Sequence, residues 1–227
     1  VVCRRQRQMC IRDSLLPVLI SADCTATLVY RIHADWKFIL RLLPFFLIGT
    51  VLGWWLFDFF QEGVERIRLL KVLIGIILLS MTGLHFLLRL RKSMSFGQNS
   101  VQDIKASDHK GSIGLGMLFG LVGGIATMLA NAAGPVAQLY LLSMGLPKYV
   151  FIGTSAWLFL IVNFCKIPFM IDLEIISIES MKVSGWMFVP AIIGAVTAPH
   201  LVKFLNQRVF EALIWFFIVI AGLRMVL

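Results

Sequence analysis

The sequence predicts an all-α polytopic membrane protein made of two repeated helical halves, and three observations carry that reading. The first is composition: of 227 residues, 59% are hydrophobic and 15% charged, and the mean hydropathy is +0.89. A soluble domain has roughly 45–50% apolar and about 25% charged residues. The second is block length, since the apolar residues gather in runs close to the roughly 20 residues that carry a helix across a hydrocarbon core of about 30 Å. These runs are continuous rather than alternating, which selects helices over barrel strands. The third is a weak internal repeat whose loops carry opposite charge patterns.

Taken in order, the apolar segments cover residues 15–30, 38–60, 69–90, 113–130, 135–144, 150–171, 183–204 and 209–227. The fifth is too short to span alone. The opening "VVCRRQRQMCIRDS" (1–14) has no continuous apolar core and switches abruptly to membrane character at Leu15; it is expected to be a non-native tail. Residues 15–91 form an N-terminal half, 92–110 a polar linker and 111–227 a C-terminal half. Across the linker, Lys37, Gly49, Gly83 and Leu84 recur in order as Lys182, Gly194, Gly222 and Leu223. Pro44 and Pro190 lie one position out of register, and Pro17 would pair with Pro135.

Charge assigns sides and narrows the functional class. A formal net charge of +9 would suit nucleic acid only with a basic face on a soluble domain, and the sequence offers none. Instead, Arg31, His33, Lys37 and Arg41 follow the first segment, and Arg89, Arg91, Lys92, Lys105 and Lys110, against Asp103 and Asp108, lie in or just before the linker. Both regions are therefore expected in the cytoplasm. Asp172, Glu174 and Glu179 mark an outer turn, while Lys203 and Arg208 mark an inner one. Equivalent loops of the halves thus face opposite sides, which is the inverted-repeat pattern of many secondary transporters. Cys3, Cys10, Cys24 and Cys165 show no metal-ligand or disulfide spacing, and neither a metal nor a cofactor is expected.

The stretch "GLVGGIATMLANAAGPVAQLYLL" (120–142) calls for a special backbone. Gly120, Gly123, Gly124 and Gly134 tolerate unusual dihedrals, and Pro135 removes an amide donor and disfavours helix at Gly134. The reading is a Gly/Pro-broken helix in the second half, with Gly120, Gly123 and Gly124 as part of the break and Asn131, Gly134, Pro135 and Gln138 lining it. Broken backbone at membrane depth belongs where it is buried in protein or faces a watery cavity. A helix restarting there would aim its positive end at an anion. Close helix packing by small residues is the competing explanation.

The next segment, "FIGTSAWLFLIVNFCKIPFMI", adds side-chain chemistry. At about 100° per residue, Ser155 and Lys166 fall roughly 20° apart and Asn163 about 80° from Ser155, so one face collects hydroxyl, amide and ammonium groups. Thr154 joins this candidate substrate site. Lys166 either faces a cavity or snorkels to the interface. Asp23 in "LISADCTATLVY" is the acidic oddity of the first half: it pairs with a cation, carries a coupling proton or marks a helix end.

These residues resemble the TauE/SafE sulfite exporter family, also called the toluene sulfonate uptake permease family. The likeness covers residues 15–227 and is most specific in the glycine-rich run, the Gly-Pro pair, "LPKYVFIGTSAW" and the lysine that follows. It implies a multi-pass transporter of the bacterial inner membrane that moves sulfite, sulfonates or other organosulfur acids. It also implies a glycine-rich segment ahead of Pro17, so the chain is expected to be an N-terminally truncated copy. The implied partners are a small anion, the lipid bilayer and a coupling proton or ion. The competing class is a membrane-embedded scaffold or assembly factor without transport. An enzyme is not expected, because no HExxH, GxSxG or paired acidic motif is present, and no Walker motif supports a primary pump.

Overall fold

A computed structural model of the chain describes residues 15–59, 108–172 and 178–226, together with positions 72, 75–76, 79–80 and 82–83. The tail 1–14, most of the segment 69–90 and the linker up to residue 107 lie outside the described residues. Among those described, the elements are all helical: α1 (Leu15–Tyr30), a 3-10 turn (Arg31–His33), α2 (Trp36–Phe59), α3 (Asp108–Ala130), α4 (Ala133–Ser143), α5 (Lys148–Asp172), α6 (Ile178–Phe204) and α7 (Gln207–Val226). Among the described residues, four stretches are long and apolar enough to cross a membrane: Trp36–Leu56, Lys148–Asp172, Gly185–Phe204 and Gln207–Val226. At 11 residues, α4 falls short of a span.

The chain divides into two compact units, residues 1–39 with 146–210 and residues 40–145 with 211–227. In the first, α1 packs against both α5 and α6. Leu16, Thr27 and Tyr30 are buried, while Leu28 and Val29 point outward. The hydroxyls of Ser21 and Thr25 fold back onto the carbonyls of Val18 and Ser21 at 2.7 and 2.8 Å, because no water is at hand to satisfy them. Asp35 ends the turn after α1 by capping α2: its carboxylate accepts from Lys37 N at 3.0 Å. Gly153 of α5 allows the close approach of this turn, since an added Cβ would lie 3.0 Å from Tyr30 O and 3.1 Å from Ala34 N.

One end of this unit is tied by a polar clasp. Lys148 Nζ donates to the carbonyls of Val202 and Leu205 at the end of α6, which is where a helix has carbonyls without internal partners and favours a cation. Gln207 completes the clasp, accepting from Lys148 N at 2.9 Å and donating to Leu146 O at 3.1 Å. Phe151 and Phe210 meet edge to face beneath it. Arg31, Lys37, Lys148, Lys203 and Arg208 all belong to the loops and helix ends gathered here, whereas Asp172 closes the far end of α5.

In the second unit, α2 and α3 meet through glycine on both sides. A Cβ on Gly49 would strike the carbonyl of Leu121, and one on Gly124 would strike Phe46 O and Thr50 N; Gly120 meets Phe45 and Leu42, Gly123 meets the Phe46 ring, and Gly53 meets Met128. This is the small-residue packing that lets two membrane helices touch along their backbones. It corrects the expectation for Gly120, Gly123 and Gly124: they lie within an uninterrupted α3 and serve the α2 contact rather than a backbone break. We expect Gly124→Ala to destabilise the protein by about 1–3 kcal/mol through overpacking against backbone atoms, whereas Gly134→Ala, with open space at its Cβ, leaves thermal stability nearly unchanged. Melting curves of the two variants in one detergent check this.

Candidate functional site

The break between α3 and α4 falls at Asn131 and Ala132. Asn131 takes a left-handed backbone, φ 52°, and two bonds close the end of α3: Asn131 N donates to Thr127 O at 3.1 Å and Ala132 N to Ala126 O at 3.2 Å. The first is the five-to-one bond that closes a helix ending in a left-handed residue, a place usually given to glycine and sometimes to asparagine. Gly134 and Pro135 follow in the first turn of α4, where proline's missing donor costs nothing. Ala132, the residue ahead of that turn, offers no side-chain cap. Gln138 sits one turn on, half-buried. Asn131, Gly134, Pro135 and Gln138 therefore form one group, in the second unit.

The other group is built on α5 in the first unit. Asn163 Nδ2 donates to Asp23 Oδ2 at 2.7 Å, joining α5 to α1. Lys166, one turn beyond Asn163, is 0% exposed and among the largest fully buried side chains. Nothing of it reaches the surface, as snorkelling would require. Ser155 lies on the same stripe of α5 as Lys166; its hydroxyl is buried and has no hydrogen-bond partner. Pro168 interrupts the ladder two residues past Lys166 and releases the carbonyl of Phe164. Thr154 differs from the other expected site residues: its hydroxyl accepts from Asp35 N at 3.0 Å and so anchors the turn after α1.

The structure thus brings Asp23 and Asn163 into direct contact, sets Ser155 in line with Lys166, and uses Thr154 as a brace. Asp23 occupies mid-helix in α1, not a helix end. Sequence reasoning passed over three residues on the Asp23 stripe or just beyond it. Thr27, Tyr30 and His33 each carry a buried heteroatom without a hydrogen-bond partner; the i, i+4, i+7 spacing from Asp23 was the signal that could have found the first two.

A sequence model of the family described as "Sulfite exporter TauE/SafE" matches residues 13–225. The chain belongs to the TauE/SafE family. No curated protein and no solved structure matches it. Membership makes this TauE/SafE protein a multi-pass protein of a transporter family whose description names sulfite export.

The backbone at Asn131 is open to test. In this TauE/SafE chain, Asn131→Gly should be tolerated within a few tenths of a kcal/mol, while Asn131→Val, a β-branched residue in left-handed geometry, should cost about 1–2 kcal/mol or more. Thermal unfolding with membrane yield measured in parallel reports both.

Proposed function

We propose that this protein is a secondary transporter of the bacterial inner membrane for a small anion, namely sulfite, a sulfonate or another organosulfur acid. The observation that carries the reading is the full burial of Lys166 on a face shared with Ser155 and flanked by Asn163. An intramembrane ammonium is expensive and marks an ion or substrate pathway by default. In a medium of low dielectric it attracts an anion far more strongly than water would allow. Ser155 supplies a neutral donor, and Asn163 sets the register of α5 against α1 through Asp23. In the second unit, Asn131, Gly134 and Pro135 lie at a helix start, whose positive dipole end favours negative charge.

Lys166→Met keeps the length and removes the charge; it should abolish anion flux in proteoliposomes while membrane yield stays near that of the parent. Lys166→Arg should retain a fraction of the flux, because the charge remains with altered geometry. Ser155→Ala and Asn163→Ala should weaken apparent affinity about fivefold to tenfold, as expected for a hydrogen bond worth on the order of 1 kcal/mol. Parent affinity in Lys166→Met would remove this lysine from the site.

We also propose that the clasped, basic end of the first unit faces the cytoplasm, and that the halves are inverted repeats. Arg31, Lys37, Lys148, Lys203 and Arg208 support that side by the positive-inside rule. In a background without native cysteines, Ile178→Cys should react with an impermeant thiol reagent added outside. Ser100→Cys and Asn206→Cys should react only in inverted vesicles. Periplasmic labelling of Asn206→Cys would reverse the orientation.

A further inference from the structure

The seam between α1 and α5 carries polar groups that neither packing nor anion binding explains. On α1, Asp23, Thr27 and Tyr30 follow one another at i, i+4 and i+7, and so line a single stripe; His33, in the turn that follows, continues toward the basic end. Thr27 is 5% and Tyr30 3% exposed. The hydroxyls of both, and Nδ1 of His33, are buried without a hydrogen-bond partner. The His33 ring lies 6.4 Å from the Tyr30 ring and 5.5 Å from the Tyr149 ring, centroid to centroid. Other hydroxyls, those of Ser21, Thr25, Thr50, Ser143 and Thr197, bond to carbonyls of their own helices; the remaining unpartnered side-chain atoms, on Tyr140, Ser155 and Trp157, do not belong to α1 or its turn. A buried group left unsatisfied costs about 1–3 kcal/mol, so three in succession along α1 and the turn after it need a function.

The chemistry of the row discriminates between two candidates. An anion path wants donors alone, whereas this row ends on a carboxylate, which repels anions. Hydroxyl, phenol and imidazole each donate and accept, which is the requirement for passing a proton. Building on the transport reading above, we propose that Asp23 is the protonation site that couples anion movement to the proton gradient, and that Thr27, Tyr30 and His33 conduct its proton from the basic end of the first unit. Successive groups are about one helical turn, roughly 5 Å, apart, a gap that one bridging water spans when the seam loosens. One proton enters at His33, each member of the row accepts one and releases one, and the Asp23 carboxylate becomes the neutral acid.

Asp23 is well placed for a reversible charge. From α5 it faces Asn163, which donates to it, with Lys166 one turn farther on and Tyr149 at the far end of the seam. From α6, the titratable side chains among the described residues are His200 and Lys203, both exposed; from the connecting turn they are Arg31 and His33. Protonation weakens the bond to Asn163 and removes a negative charge from the helix that packs against α5. The state of Asp23 is thereby transmitted to the anion face of α5.

The test uses proteoliposomes of the full chain with a pH-reporting dye inside and either sulfite or methanesulfonate as the transported anion. In the parent, an imposed anion gradient should drive proton flux, and an imposed pH gradient should drive anion accumulation. Asp23→Asn should retain anion exchange at equal concentrations but lose accumulation driven by pH, and Asp23→Glu should restore it at least in part. Tyr30→Phe and Thr27→Val should slow the proton flux about tenfold or more, with exchange retained. Undiminished accumulation in Asp23→Asn would overturn the proposal, as would parental proton flux in both Tyr30→Phe and Thr27→Val. Anion flux in the parent without any proton flux would overturn the proton assignment alone, whereas no flux of either anion would overturn the transport reading beneath it.

Discussion

A hydrocarbon interior offers no partners to a backbone amide or carbonyl, and the rest of this structure depends on that constraint. At three corners of the described chain, a group of its own takes over the work of water. Asn131 turns left-handed so that Ala132 N can reach back to Ala126 O. Thr154 accepts the amide of Asp35 at the corner between α1 and α2. Lys148 and Gln207 satisfy the carbonyls and amides at the ends of α5 and α6. The unsatisfied heteroatoms of Thr27, Tyr30 and His33 stand out because they follow one another along α1 and the turn after it.

The same constraint separates the two duties of glycine in this sequence. Gly49, Gly53, Gly120 and Gly124 keep ordinary helical geometry and bring two backbones together. The residue that bends the chain is an asparagine, whose side chain tolerates a left-handed backbone better than most. Composition therefore pointed to the right stretch and to Asn131 within it, but it also drew in Gly120, Gly123 and Gly124, which serve packing. A cluster of glycines signals both a break and a close crossing, and only the partner helix tells which of the two is present.

Much of the fold could be read directly. Apolar runs placed α1, α4, α5, α6 and α7 within a few residues of their ends, because segment length in a membrane is set by bilayer thickness and little else. The stripe of α5 that holds Ser155 and Lys166 also followed from helical periodicity alone. What escaped were contacts between residues far apart in sequence: the Asp23 bond to Asn163, the Thr154 brace and the clasp at Lys148. Each depends on how helices meet, and apolar blocks of similar composition give no hint of their partners. Thr154 was assigned to the substrate because a hydroxyl beside Ser155 looks like a ligand; the fold gives it to the turn after α1.

The clasp has a consequence for the order in which the protein is made. Lys148 is synthesised and inserted well before Val202, Leu205 and Gln207 leave the ribosome, so for that interval its ammonium has the ring of Tyr149, 5.1 Å away, but none of its carbonyl partners. In that interval a positive charge at the start of α5 favours keeping that end on its own side of the bilayer. Once the turn between α6 and α7 arrives, the same ammonium is recruited as a cap for the carbonyls of α6. One lysine thus directs insertion and then seals the product, and a chain halted before residue 202 would keep its orientation while leaving that end unlocked.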